Sequence, residues 1–558
     1  MKREERDRRE AEKKARLAAK GSIAEVDLPL NRDQLAWVFW ALAGLFFFRQ
    51  VFVPKVGTFD LWFFGMVLSA VCLVPMWLWV SGRVHGLPLW PIYCLGIIPP
   101  YCMQLINASE TVKPYTPQEQ LKAVLTMIGF VSLGTIIVHQ LTNRAPNPRP
   151  FVRAFDLETC KPMLVAFVAL GLAFSLSLDY LWQLGGGAVS AMRGVATSLS
   201  NLGIFGLCIL WGRKKLKSAQ IGLVILSLGL LFLQNASGLI LAAIFGQVGL
   251  AVIAFILGRQ KIPWAFLGTF FALIMILHAG KHQMRKEYWI EGLQGSNRVS
   301  WIEMPAFYAE WFAKGLRTLG SGGKTDEGEK VSSAAERGSM VHLLLMVQQK
   351  TPSEIPFLMG ETYKYLPEML VPRVFNKEKP VSHVGNMILS LHYGLLDYEG
   401  IFKTSIGFDP VVEGYANFGY LGVAGTAIAM GFLIGGITLF GCGAPILSYR
   451  FLLAVLVLAG LVGSNNTVGV TTTVIWQSFL ALSAVALILM KKIPNPLYAK
   501  PEAFGKMGDG RSDMGRNDAG SVKREAAGEE KPKSENGNSE AAPVRHERPT
   551  RFVYGNKK

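Results

Sequence analysis

The sequence predicts an all-α polytopic membrane protein with about twelve transmembrane helices, and three observations point that way. Hydrophobic side chains make up 51% of the 558 residues and charged ones only 17%, which is too apolar for a soluble domain of this size. The apolar residues gather into segments close to the length of about 20 residues that a helix needs to cross a bilayer. The short connections between those segments alternate in their content of Lys and Arg, as the positive-inside rule requires.

The chain opens on MKREERDRREAEKKARLAAK, a mixed-charge stretch with a basic excess. Beside a first span, such a stretch meets anionic lipid and sets orientation. Residues 1–34 therefore read as a basic cytoplasmic segment. The charged region is too long, and no small-residue cleavage site follows a short apolar core, so an uncleaved anchor is expected.

Nine spans are expected within 35–280, at 35–53, 61–80, 89–106, 123–138, 162–180, 198–212, 219–233, 238–258 and 263–280. Three more fall within 415–490, at 415–440, 451–463 and 468–490. With the N-terminus inside, the inside short loops carry 12 Lys and Arg (Arg83, Arg144, Arg149, Arg153, Lys161, Arg213, Lys214, Lys215, Lys217, Arg259, Lys261 and Arg450) and the outside ones four (Lys55, Lys113, Lys122 and Arg193). Both termini are then cytoplasmic. Residues 491–558, and above all 500–558, are rich in Gly, Glu, Ser, Asn and Lys and read as a disordered cytoplasmic tail.

A net charge of +17 is accounted for by this orientation and calls for no nucleic acid. The six cysteines fall in expected spans or inside loops, which implies no disulfide framework. No Walker loop, dinucleotide fingerprint, His-Glu-x-x-His or metal-ligand spacing occurs. No nucleotide, metal or other cofactor is expected.

Function must then lie in the long external segment 281–414, between the ninth and tenth spans. It holds 15 Lys plus Arg and 16 Asp plus Glu, so its cations act by placement and not as a bulk basic surface. A Gly-rich stretch around 320–333 divides it. Ser333-Ala-Ala-Glu336 forms a capping box that predicts a helix through about Gln349, with Leu343, Leu344, Met346 and Val347 on an apolar body. Arg337 then falls near the first turn, where the helix dipole disfavours a cation unless an anion is near. Further on, VPRVFNKEKP sets Arg373, Lys377 and Lys379 between two prolines.

The run ERGSMVHLLLMVQQKTPSEIPFLMGETYKYLPEMLVPRVFNKEKP, followed by TSIGFDPVVEGYANFGYLGVAG, resembles the oligosaccharide repeat-unit polymerases, the O-antigen and exopolysaccharide polymerase group. The likeness rests on Arg337, on Gly360-Glu361-Thr362-Tyr363, on Pro372-Arg373, on Lys379-Pro380 and on Glu413-x-Tyr415-x-Asn417-Phe418-Gly419. Phe375 and Asn376 stand where that group more often has an aliphatic residue and Trp.

The resemblance implies a GT-C-like glycosyltransferase of the bacterial inner membrane that joins polyprenyl-diphosphate-linked repeat units on the external face, with a flippase and a chain-length regulator as partners. Guanidinium groups suit a diphosphate leaving group because they bind it through bidentate, charge-assisted bonds. Prolines beside Arg373 and Lys379 limit the ordering that binding requires. Arg193, next to the Gly185–Gly187 run, Arg337 and Arg373 are the expected catalytic cations. Lys379, Tyr363, Glu361, His383, His392 and Asn417 are expected around the substrate.

Glu413, at the lip of the tenth span, is the first candidate for general base, with His383, His392 and Glu361 behind it. Each has a plainer reading. Arg373 also suits an interfacial anchor, Arg193 an ordinary loop cation, Glu413 a partner for a helix dipole, and the histidines polar loop contacts. A ligase that hands the glycan to another acceptor, or a repeat-unit flippase, is the alternative. A transporter would show charged or broken segments in paired repeats at mid-membrane, and no internal repeat is visible.

Overall fold

The computed structural model describes residues 32–52, 57–156, 159–177, 186–239, 241–288, 302–320, 339–372, 375–376, 378–403, 405–461 and 466–498. In chain order the elements are α1 (Arg32–Phe52), α2 (Phe59–Val80), α3 (Leu89–Ile106, with a π-helical turn at Ile98–Cys102), α4 (Pro117–Thr142), β1 (Phe151–Ala154), α5 (Lys161–Leu176), α6 (Gly186–Gly212), α7 (Ser218–Ser237) and α8 (Ala242–Arg259). They continue as α9 (Trp264–Tyr288), α10 (Met304–Gly320), α11 (Met340–Lys350), α12 (Leu366–Leu370), α13 (Val384–His392), α14 (Gly400–Lys403), α15 (Pro410–Gly441), α16 (Tyr449–Leu461), α17 (Val468–Ile488) and β2 (Lys491–Pro494).

Eight helices among the described residues are long and apolar enough to cross a membrane: α1 to α4, the Met192–Gly212 part of α6, the Trp264–Lys281 part of α9, α15 and α17. Shorter apolar helices occur at α5, Ser218–Gln234, Gly246–Arg259 and α16. Each of the twelve expected segments overlaps one of these helices among the described residues. The chain is a helical membrane protein.

The boundaries follow local chemistry. α4 starts at a capping box in which the Glu119 N–H donates to Thr116 Oγ1 and the Thr116 N–H returns to Glu119 Oε2 at 2.8 Å, satisfying two of the donors that every helix start leaves open. α4 then lies along α15, where Gly431 and Gly435 face Ile137 and Val138. Small residues one turn apart let two helices approach closely where lipid gives no hydrophobic drive for association. Trp90 of α3 fills the adjoining core, stacked on Tyr93 at 5.2 Å and donating its indole N–H to Thr135 Oγ1 at 3.0 Å.

Several boundaries differ from the sequence reading, α6 starting at Gly186 and not 198 and α15 at Pro410 and not 415. α9 continues past the expected end at 280 to Tyr288, because its HQMRKE run keeps helix-favouring residues after the apolar stretch ends. A two-stranded antiparallel ribbon also joins β1 to β2, with Arg153 opposite Lys492 and Val152 opposite Ile493. Strands of four residues carry too little periodicity to be read in sequence. The ribbon gives 491–494 regular structure where the sequence reading starts the tail. The 500–558 stretch lies outside the described residues.

In the 281–414 segment, α11 docks on the N-terminal half of α4. Its Gln348 donates to Thr126 Oγ1 at 2.8 Å and its Gln349 to Glu119 Oε1 at 3.1 Å. Leu343, Leu344, Met346 and Val347 are buried, as the apolar body of this helix requires. The N-cap of the described helix is Ser339, whose Oγ accepts from the His342 N–H at 3.3 Å. The Ser333–Glu336 capping box lies outside the described residues.

Candidate functional site

The site is organised by a break in α15. Asp409 caps the helix, with Oδ1 accepting from the Val411 N–H at 3.1 Å and the Val412 N–H at 2.8 Å while Oδ2 accepts from the Tyr101 hydroxyl. Pro410 follows at the first helical position, where its fixed φ is already helical. The helix then fails at Phe418 and at Gly419, whose φ of 61° and ψ of −142° leave the helical region. Only glycine occupies that conformation readily. A short limb, 410–417, is thereby folded against the long apolar limb beginning at 420. The limbs touch backbone to backbone, and a Cβ on Gly422 would sit 1.9 Å from the Gly414 carbonyl oxygen.

Carbonyls at the end of the short limb are satisfied by another segment. The Leu358 N–H donates to Ala416 O at 3.0 Å and the Met359 N–H to Asn417 O at 3.1 Å. Gly360, at φ +91°, turns the chain so that its own N–H meets Asn417 Oδ1 at 2.9 Å. The Asn417 amide nitrogen donates to Thr362 Oγ1 at 2.9 Å and to Glu413 O at 2.8 Å. Asn417 is fully buried, and one side chain joins the Gly-x-Thr-Tyr segment to the Glu-x-Tyr-x-Asn segment. Tyr363 completes the junction, its ring stacked on Phe418 at 6.5 Å and its hydroxyl 3.4 Å from Thr426 Oγ1. Burial holds the Tyr363 phenol well above its ordinary pKa.

Glu413 departs from the sequence expectation of a carboxylate at a half-wet lip. It is 1% exposed, and its Oε2 accepts from the Val468 N–H, the first of α17, at 2.7 Å. A carboxylate against the positive end of a helix is a favourable pairing; the helix is α17 and not its own. Gly385 of α13 faces the same carboxylate, and a Cβ there would lie 3.3 Å from Oε1 and 3.7 Å from Thr467 Oγ1. Glu413 thus bonds α15 to α17 and lies against α13. Its burial keeps it out of reach of a substrate hydroxyl in this conformation.

The other expected site residues divide. Glu361 pairs with Lys364 on the surface. His392 directs Nε2 at Pro356 O, 3.0 Å away. His383 is exposed at the start of α13. Lys379 is half-buried, with its backbone N–H donating to Asn376 O at 3.2 Å. Arg193 is exposed on α6, next to Gly194, which abuts the Gln477 side chain of α17. One residue away, the Trp476 indole N–H donates to Leu370 O at 2.7 Å. Arg193 therefore lies beside α17, the helix that α12 also contacts. Arg337, Arg373 and Lys377 lie outside the described residues.

Sequence reasoning missed Asp409, Gly385 and Thr467. Asp409-Pro410 was legible as a cap followed by Pro at the first helical position. The other two owe their place to tertiary contact alone. No family model, curated protein or solved structure matches this chain.

Proposed function

We propose that the chain is a membrane glycosyltransferase that polymerises polyprenyl-diphosphate-linked oligosaccharide repeat units on the external face of a bacterial inner membrane, with twelve spans and both termini in the cytoplasm. The observation that carries this reading is the Asn417 junction. It brings the 360–363 and 413–419 segments, which resemble two polymerase motifs far apart in sequence, into one buried hydrogen-bonded unit.

In this reading the acceptor sugar's hydroxyl oxygen bonds to the donor's anomeric carbon. The bond from that carbon to the lipid diphosphate breaks, and the diphosphate departs with the electron pair. Arg373, Arg337 and Arg193 neutralise the departing charge, and Lys379 assists. The junction under Gly360 and Tyr363 holds the segment leading to Arg373 against α15 and α17. The hydroxyl's proton goes to a group reachable by substrate. Exposed His383 fits that requirement better than sealed Glu413. The reaction as drawn uses no nucleotide, and a flippase would supply its substrate.

The test is gene deletion followed by analysis of surface and lipid-linked glycans. The proposal expects exported single repeat units without long chains. Absence of any exported unit indicates a flippase, and long chains left on the lipid carrier indicate a ligase.

A further inference from the structure

α10 carries three stripes of side chains. Met304, Phe307, Trp311, Gly315 and Thr318 are buried and recur at the three- and four-residue spacing of a helix face. They pack on α9, where the Trp311 indole N–H donates to Leu277 O at 2.7 Å and Gly315 meets Gly280 backbone to backbone. A second stripe carries the charge. Glu310 and Lys314 pair at 2.6 Å, Lys314 also reaches Glu287, and the Tyr288 hydroxyl donates to Glu310 at 2.8 Å. Arg317 continues that flank.

The third stripe is unexpected in an external segment. Pro305, Ala309, Phe312, Leu316 and Leu319 follow one another at helical spacing and are all exposed, Leu316 and Leu319 at 47% each. Ile302, just before the helix, is 92% exposed. A helix bathed in water on both free sides would not spend one of them on Phe and Leu. One apolar flank and one charged flank, on either side of a docked face, is the arrangement of a helix lying at a membrane surface.

Its position agrees. Leu277, which accepts from Trp311, belongs to the Trp264–Lys281 stretch that is apolar enough to cross a membrane and only 17% buried in protein. Trp264, Phe266, Phe271 and Met275 on that stretch are exposed, as a lipid-facing surface requires. Tyr308 reaches back to the carbonyl of Leu233, at the end of the apolar Ser218–Gln234 helix. The charged flank instead meets Glu287 and Tyr288, in the polar extension of α9. The apolar stripe is thus continuous with the lipid face of α9, and the charges sit beyond it.

We infer that α10 is an interfacial membrane helix whose Phe312, Leu316 and Leu319 side chains insert among the acyl chains of the leaflet at the external end of α9. Residues 302–320 then belong to the membrane domain, and the aqueous part of the external segment starts after them. The inference rests on the membrane reading and is independent of the polymerase proposal.

The test uses the full-length protein with Cys442→Ser, reconstituted in nanodiscs of phosphatidylethanolamine and phosphatidylglycerol, with a spin label at Leu316→Cys, Leu319→Cys or, as control, Arg317→Cys. Collision with oxygen, which partitions into lipid, is compared with collision with a water-soluble nickel complex. The inference predicts that oxygen dominates at Leu316 and Leu319 and nickel at Arg317. Nickel dominance at all three would place the stripe in water and overturn it. Exclusion of both reagents with spin–spin broadening at Leu316 would overturn it in favour of a second copy of the chain.

Discussion

Within the 281–414 segment and the start of α15, residues 339–372 and 384–417 are fastened to the bundle by several hydrogen bonds, half-buried through Gln348 and Glu413 and fully buried at Asn417. α10 is fastened by one apolar stripe with a buried hydrogen bond from Trp311 to Leu277, and its other polar contacts are mostly near the surface. The difference lies in what each region must resist. A buried bonded junction fixes geometry to fractions of an ångström, because each unmet polar group carries a penalty. An apolar stripe tolerates sliding. Chemistry that needs placed cations belongs with the first kind, and contact with lipid with the second.

Four substitutions break or sharpen that contrast. Asn417→Ala removes a partner of Gly360 and of Thr362 together and leaves the half-buried Gly360 N–H without its acceptor. The loss is about 3 kcal/mol, seen as a lowered unfolding temperature in detergent and loss of long glycan chains. Gly419→Ala forces a Cβ into φ 61°, 3.2 Å from Phe357 Cζ. A destabilisation of about 2 kcal/mol follows, with the break in α15 relaxed.

Arg373→Lys keeps charge but loses the planar fork, so chain extension should fall at least about tenfold, or about 1.4 kcal/mol, while the fold is unchanged. Extension at the normal rate would remove Arg373 from the diphosphate site. Lys314→Ala, on α10, deletes a partly exposed ion pair and should cost about 1 kcal/mol or less with no change in chain length. A large loss of activity there would erase the distinction between the two regions.

Glu413 sharpens the account inside the first region. Glu413→Gln keeps an oxygen to accept from Val468, so folding should persist. A positioning role predicts near-normal extension in Glu413→Gln and a large loss in Glu413→Ala, whereas a general base fails in both.

Helix positions were legible because a stretch of about 20 apolar residues leaves few alternatives. The motif residues Tyr363, Glu413 and Asn417 were legible as a set. Their geometry was not, because the contact of Asn417 with Gly360 depends on a chain reversal at Gly419 that resembles any other glycine in an apolar helix. The burial of Glu413 was not legible for a related reason. Its place at a span's lip ignored α17, whose first N–H arrives from 55 residues away. α10 escaped the span count because Glu310, Lys314 and Arg317 on its third flank lower its mean hydropathy while leaving a lipid-facing side intact.

The central claim is that this chain extends a lipid-linked glycan through a site held together by Asn417. Purified protein in nanodiscs, supplied with a polyprenyl-diphosphate oligosaccharide and no nucleotide, tests it directly. The account predicts a ladder of products spaced by one repeat unit, released polyprenyl diphosphate in matching amount, and neither with Asn417→Ala. Intact donor after incubation with the wild-type protein, across acceptor oligosaccharides of differing sugar composition, would contradict it.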